Sequence, residues 1–92
     1  MYHVYILLCR DNSLYVGYTQ NVEERVRAHN KGLGAAHTLK YRPVKLVYSE
    51  THPIRLDACR RERQLKRWTR KKKQALIQGD LVRLRALSKR RT

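Results

Sequence analysis

From Tyr2 to Leu8 the chain is almost continuously apolar or aromatic and rich in β-branched residues, which predicts a strand. Arg10-Asp11-Asn12-Ser13 is a turn signal, and Leu14 to Tyr18 predicts a shorter second strand that returns as an antiparallel hairpin. The loop length sets the register. A loop that pairs Cys9 with Leu14 sends Tyr5 and Tyr15 to opposite faces. A loop running from Cys9 to Ser13 pairs Leu8 with Leu14, Leu7 with Tyr15 and Tyr5 with Gly17. The second register is expected, because both tyrosines then share a face and Gly17 leaves space across from the Tyr5 ring.

The period then changes from two to 3.6. Asn21 is a suitable N-cap with Glu24 three residues on, Glu23 and Glu24 suit the positive end of a helix, and Gly32 is a natural stop. Within that helix Val22, Arg25, Val26 and His29 follow i, i+3, i+4, i+7, so an arginine and a histidine lie on the same stripe as the valines. Side chains serving only solubility would sit opposite. Gly32 to Pro43 reads as a loop, a lid, a substrate-contacting segment or a simple crossover, and Pro43 biases Arg42 away from helix. Val44 to Ser49 alternates Val44, Leu46 and Tyr48 against Lys45 and Val47, a half-buried third strand. Pro53 suits the first turn of a following helix whose stripe, Ile54, Ala58, Glu62 and Leu65, again carries one charged residue, now an acid. Thr69 caps a basic helix ending near Gln78 and Gly79. Asp80 caps a last one with Leu81, Leu84 and Leu87, and the tail SKRRT is expected to fray.

A chain of 92 residues suits one domain, here spanning 1–92 with a basic helical part from about residue 69, and 41% apolar residues allow only a thin core. Twenty-two Lys and Arg against seven Asp and Glu leave a net charge of +15, concentrated toward the C-terminal half, which calls for a polyanionic partner. The basic residues interleave with helical apolar positions and leave no broad apolar face, so nucleic acid is favoured over a membrane surface and over a small-molecule substrate. Arg60, Arg61, Lys66, Arg67, Arg70, Lys71, Lys72 and Lys73 are the candidate phosphate contacts, holding the backbone without reading bases. A charge run is also the ordinary composition of a solvated face, but the excess here is too large for that alone. Trp68, at the end of an apolar stripe, reads as core before it reads as a base-stacking platform. Cys9 and Cys59 lack metal-ligand spacing and read as reduced thiols. The N-terminus has no secretory pattern and no stretch approaches a membrane span, so a cytosolic location is expected.

His3-Val4-Tyr5, Tyr15-Val16-Gly17, Arg25 ten residues after Tyr15, His29 four further on, and Glu62 on a later helix together resemble the GIY-YIG nuclease superfamily, in its small stand-alone bacterial UPF0213-like type. The resemblance spans nearly the whole chain. It implies an α+β fold, a small three-stranded antiparallel sheet flanked by helices, with the active site across one sheet face and metal-dependent cleavage of nucleic-acid phosphodiesters, DNA more than RNA. The residue types suit that chemistry. Arg25 offers a permanently charged fork for phosphate oxygens. Glu62 can hold one Mg²⁺ or Mn²⁺ ion, a hard cation content with one carboxylate, water and substrate phosphate. Tyr5 or Tyr15 would activate or position the attacking water, although a phenol with a pKa near 10 needs help from a neighbouring base or cation. His29 is that base or a phosphate contact. Each residue also has a plain structural reading: strand aromatics for the tyrosines, a snorkelling arginine, a satisfied histidine, an ion-paired glutamate with Arg25, Arg60, Arg61 or Arg63. The chain departs from the superfamily pattern at His3, where the first motif opens with glycine. It departs again at Tyr18, where many relatives have lysine, and at Gln74, in a region where larger nucleases supply an asparagine.

Overall fold

The computed structural model describes residues 1–89. Strands β1 (Tyr2–Leu8), β2 (Leu14–Thr19) and β3 (Lys45–His52) form one antiparallel sheet in the order β2-β1-β3. Helices α1 (Val22–Asn30) and α2 (Ala36–Lys40) lie between β2 and β3, and α3 (Arg55–Arg67), α4 (Arg70–Gln78) and α5 (Leu81–Lys89) follow. The hairpin takes the expected register, Leu8 with Leu14, Leu7 with Tyr15 and Tyr5 with Gly17. Its loop is closed by Cys9 N–H to Ser13 O at 2.9 Å, with Asn12 at φ 72°, a left-handed conformation that asparagine tolerates.

Alternation divides the sheet into two apolar layers. Val4, Ile6 and Val16 pack against Ala58 and Leu65 of α3, with Trp68, Leu76 and Ile77 around them. Tyr5, Leu7, Cys9 and Val44 form the second layer with Tyr15, Val26 and Tyr41. Ile6, Leu7 and Leu65 are fully buried and contribute about 1.5–3 kcal/mol each to so thin a core.

Three elements depart from expectation. The segment read as a loop contains α2, a single short turn of helix whose N-cap, Ala35, makes no side-chain capping bond; what holds it is Thr38, fully buried. The third strand starts one residue later than Val44 and runs three residues past Ser49. Asn30 takes the place of a strand partner for Val44, accepting from its N–H at 2.7 Å and donating to its carbonyl at 3.1 Å. A bulge opposite Ile6 and Leu7 then breaks the alternation, so Val47 and Tyr48 both reach the core while Leu46 is exposed. Pro53 precedes α3 rather than entering it, and Ile54, in extended backbone at the N-cap, is exposed instead of joining Ala58 and Leu65. The caps at Thr69, Gly79 (φ 71°) and Asp80 form as the side chains require. Leu84 and Leu87 are partly covered and Leu81 is exposed. Of the SKRRT tail, Ser88 and Lys89 are helical; Arg90, Arg91 and Thr92 lie outside the described residues.

Candidate active site

Tyr5 sits mid-strand, and its oxygen lies over Gly17, where a Cβ would come within 2.5 Å of Oη and 2.6 Å of Cζ. The glycine in the second tripeptide therefore makes room for the tyrosine of the first. Tyr15 lies on the same face and is only half-buried, whereas Tyr5 is 1% exposed. Helix α1 begins at Asn21, whose side chain accepts from Glu24 N–H at 3.0 Å, and this start turns Arg25 and His29 toward the tyrosines.

His29 is fully buried and bonded at both ring nitrogens: Nε2 is 2.9 Å from Tyr5 Oη and Nδ1 is 2.7 Å from Thr38 Oγ1. The Thr38 hydroxyl donates its one proton to Ala35 O at 3.0 Å, so it accepts from His29 Nδ1–H. Burial, and then the charge of Arg25, lower the imidazole pKa, so the ring is neutral near pH 7. Nε2 is consequently the bare nitrogen and accepts from the Tyr5 hydroxyl. Burial raises the Tyr5 pKa, while the Arg25 guanidinium beside its oxygen pulls the other way. Gly34 closes the pocket from the far side, since a Cβ there would overlap Nδ1 and lie 2.6 Å from Cε1 of His29.

Arg25 also lines an open depression of about 440 Å³ with Tyr18, Thr19, Gln20 and Arg55, and Arg55 donates to Tyr18 Oη at 3.4 Å. Tyr15 packs edge-on against His29, ring centroids 5.3 Å apart, and Lys66 Nζ stands 5.9 Å from the Tyr15 centroid. Lys66 pairs with Glu62 at 3.3 Å one helical turn away, and the Glu62 charge is felt at Tyr5. All five residues singled out from the sequence, Tyr5, Tyr15, Arg25, His29 and Glu62, thus come to one patch. Thr38, Gly34 and Arg55 belong with them; Thr38 and Gly34 fall in the Gly32 to Pro43 segment read as a loop, a lid, a substrate-contacting segment or a crossover, and Arg55 carried no signal in the sequence. The ion pair of Glu62 is with Lys66, not with Arg25, Arg60, Arg61 or Arg63.

The basic residues divide into separate groups. Arg60, Arg67, Lys71 and Lys72 line a groove of about 860 Å³ with Arg63 and Trp68, and Lys72 Nζ stands 4.4 Å from the Trp68 ring centroid. Trp68 both packs on the core and walls this groove. Arg61 does not line this groove and is engaged elsewhere. Its Nε donates to Glu50 at 2.9 Å and Nη1 to Gln64 at 2.9 Å, and its guanidinium lies 5.3 Å from the Trp68 centroid, so it ties α3 to β3. Arg70 joins Gln74 in a small depression with Leu14 and Val47, away from the tyrosines, and burial followed by the Arg70 charge lowers the Lys73 pKa. Lys66 sits at the patch itself.

Residues 1–75 match the family model of the GIY-YIG catalytic domain. The chain belongs to the GIY-YIG family. Within this nuclease family it is 48% identical over 77 residues to a UPF0213 protein of Staphylococcus haemolyticus, covering 84% of this chain and 94% of that one. It is 46% identical over 82 residues to a UPF0213 protein of Clostridium perfringens, covering 89% and 88%. The solution structure of a UPF0213 protein from Bacillus halodurans superposes with a TM-score of 0.55 at 39% identity over 85% of this chain and 84% of that one. That of a protein from E. faecalis gives 0.59 at 35% identity over 88% and 86%. Among the described residues of this GIY-YIG domain, no helix is long and apolar enough to cross a membrane.

Proposed function

We propose that this GIY-YIG domain is a metal-dependent endonuclease that hydrolyses phosphodiester bonds in DNA, with weak sequence specificity or selectivity for substrate structure. The observation that carries the reading is the Tyr5–His29 hydrogen bond at 2.9 Å, held in one tautomer beneath Arg25, Tyr15 and Glu62. It answers the difficulty of using a phenol as a base. Tyr5 directs its own proton at neutral His29, leaving its lone pairs to accept one from water; as that proton arrives, the hydroxyl proton passes to Nε2. No free phenolate has to form. Half-buried Tyr15 orients the water, and Arg25, with Arg55 across the depression, takes the phosphate oxygens as charge develops. Buried His29 acts through Tyr5 and does not touch phosphate.

Glu62 fits a single hard ion, because it is a partly exposed carboxylate whose present partner, Lys66, is a flexible chain able to swing aside. Bound there, Mg²⁺ or Mn²⁺ would supply Lewis-acid charge to the phosphoryl and leaving oxygens. The groove of Arg60, Arg63, Arg67, Lys71 and Lys72 holds flanking backbone.

One observation favours a competing reading, a nucleic-acid-binding module without turnover: Gln74 lines a depression that none of the five patch residues lines, so it supplies no amide there. Cleavage of labelled duplex, flapped, branched and single-stranded DNA with Mg²⁺ or Mn²⁺, beside chelator and Glu62→Ala controls, separates the two. The nuclease gives metal-dependent products that Glu62→Ala loses while still binding. Binding without cleavage for both proteins supports the module.

A further inference from the structure

Beside the tyrosine patch lies a cluster of side chains of the types that ligate metals. Cys9 at the end of β1, Asp11 in the hairpin loop and His37 on α2 bring one ligand atom each to within 4.8 Å of one another. Hydrogen bonds brace the backbone around them. Arg10 N–H donates to Tyr41 O at 2.9 Å, which ties the hairpin loop to the end of α2, and Asp11 accepts from Ser13 N–H at 3.0 Å. The His37 ring lies nearly parallel to Tyr15, 6.4 Å between centroids, with Tyr41 on another side at 4.9 Å. The Ser13 hydroxyl links the cluster, 2.5 Å from Asp11 Oδ1 and 2.7 Å from His37 Nε2.

We infer that Cys9, Asp11 and His37 form a binding site for a borderline-soft divalent ion of the zinc class, separate from the carboxylate proposed for Mg²⁺. Sulfur, imidazole nitrogen and carboxylate oxygen are the donor types that Zn²⁺ and Co²⁺ take, whereas Mg²⁺ prefers an all-oxygen shell. Zn–S and Zn–N lengths place tetrahedral ligand atoms roughly 3.5 Å apart, so the cluster contracts by at most roughly 1.3 Å on binding. Asp11 and His37 are exposed and can supply that movement, while Cys9 is buried and anchors the site. A coordinating thiol loses its proton to solvent as the ion binds. Three protein ligands leave a fourth position for water, the Ser13 hydroxyl or an incoming anionic oxygen. The ion would join the hairpin loop to α2, one stacked ring away from Tyr15.

The test is titration of the reduced, metal-free protein with Co²⁺, read by absorbance, and with Zn²⁺, read by calorimetry. One ion per chain is expected, with a thiolate-to-cobalt charge-transfer band that excess Zn²⁺ abolishes and excess Mg²⁺ does not. Asp11→Asn and His37→Ala, both at exposed positions that leave the core intact, should each weaken binding more than about 10-fold. Cys9→Ser should lose the band and Cys59→Ser should keep it. Absence of stoichiometric binding, wild-type affinity in Asp11→Asn or in His37→Ala, or a band that follows Cys59 overturns the assignment. None of these readouts depends on cleavage.

Discussion

Replacing Gly34 by alanine adds one methyl group at a place where the fold has no room for it. The new Cβ would overlap Nδ1 of His29 and lie 2.6 Å from Cε1 and 2.7 Å from Cγ. The ring cannot retreat, since it is fully buried and bonded at both nitrogens. Overpacking of this kind costs about 1–3 kcal/mol, and displacing the ring from Thr38 or Tyr5 leaves a buried polar group unpaired at about 1–3 kcal/mol more. The stiffer backbone of alanine returns only about 0.4–1 kcal/mol. A net loss of about 2–5 kcal/mol is expected, read from urea unfolding by circular dichroism. The same substitution in a His29→Ala background should cost less than about 0.5 kcal/mol, because the ring it strikes is gone, giving a large coupling in the double-mutant cycle. Gly79→Ala is the control. At φ 71° with nothing within 4 Å it carries only a backbone cost of about 1–2 kcal/mol, the same in either background. Wild-type stability for Gly34→Ala, or an equal loss with and without His29, would refute the reasoning.

The Glu50 cluster sets an acid limb to stability. Burial pushes this carboxyl up, but hydrogen bonds from Tyr48, Arg61 and His52 outweigh it and hold the pKa below the ordinary value. The unfolded chain therefore takes up the Glu50 proton at higher pH than the folded one, so this stabilisation is complete above the unfolded pKa and lost as pH falls through the folded one. Urea midpoints measured from pH 7 downward should show a shallower acid decline in Glu50→Gln; an unchanged decline would remove Glu50 as its source. For the groove, changing Arg60, Arg67, Lys71 and Lys72 together to alanine should reduce the slope of log affinity for duplex DNA against log salt by roughly 3–4, at about 0.9 per phosphate contact. An unaltered slope would place the phosphate contacts elsewhere. Arg61→Ala should instead lower stability, since its head group is engaged with Glu50 and Gln64.

What could be read before the structure was whatever depends on spacing along one element. The parity of Tyr5, Tyr15 and Gly17 determined the hairpin register, and the 3.6-residue period placed Arg25 and His29 on the sheet side of α1. What could not be read depends on one residue meeting a distant one. Thr38 is an unremarkable polar residue in a helix too short to announce itself, and only the approach of His29 from α1 explains why it is buried. Gly34 looks like loop punctuation until the imidazole is set beside it. Asn30, past the His29 turn, stands in for a strand at Val44, and the bulge beyond moved Leu46 into solvent. The charge run was visible as a run; its division among a groove, an ion pair at Glu62 and a clamp at Glu50 was not, because each division is made by a partner on another part of the fold.

The chain of hydrogen bonds behind Tyr5 has a terminus that matters for turnover. It runs from Tyr5 through His29 to Thr38 and stops at the carbonyl of Ala35, a group that accepts a hydrogen bond but not a proton. The arrangement is a cul-de-sac and not a wire to bulk solvent. In a nuclease working by the proposed transfer, a proton entering at Tyr5 would pass to His29, and among the described residues no proton-accepting group follows it along this chain of hydrogen bonds. On the proposed mechanism the proton would leave by way of Tyr5, so resetting His29 would wait on product clearing the space above Tyr5. Release of the cleaved strand and recovery of the base would then be one event.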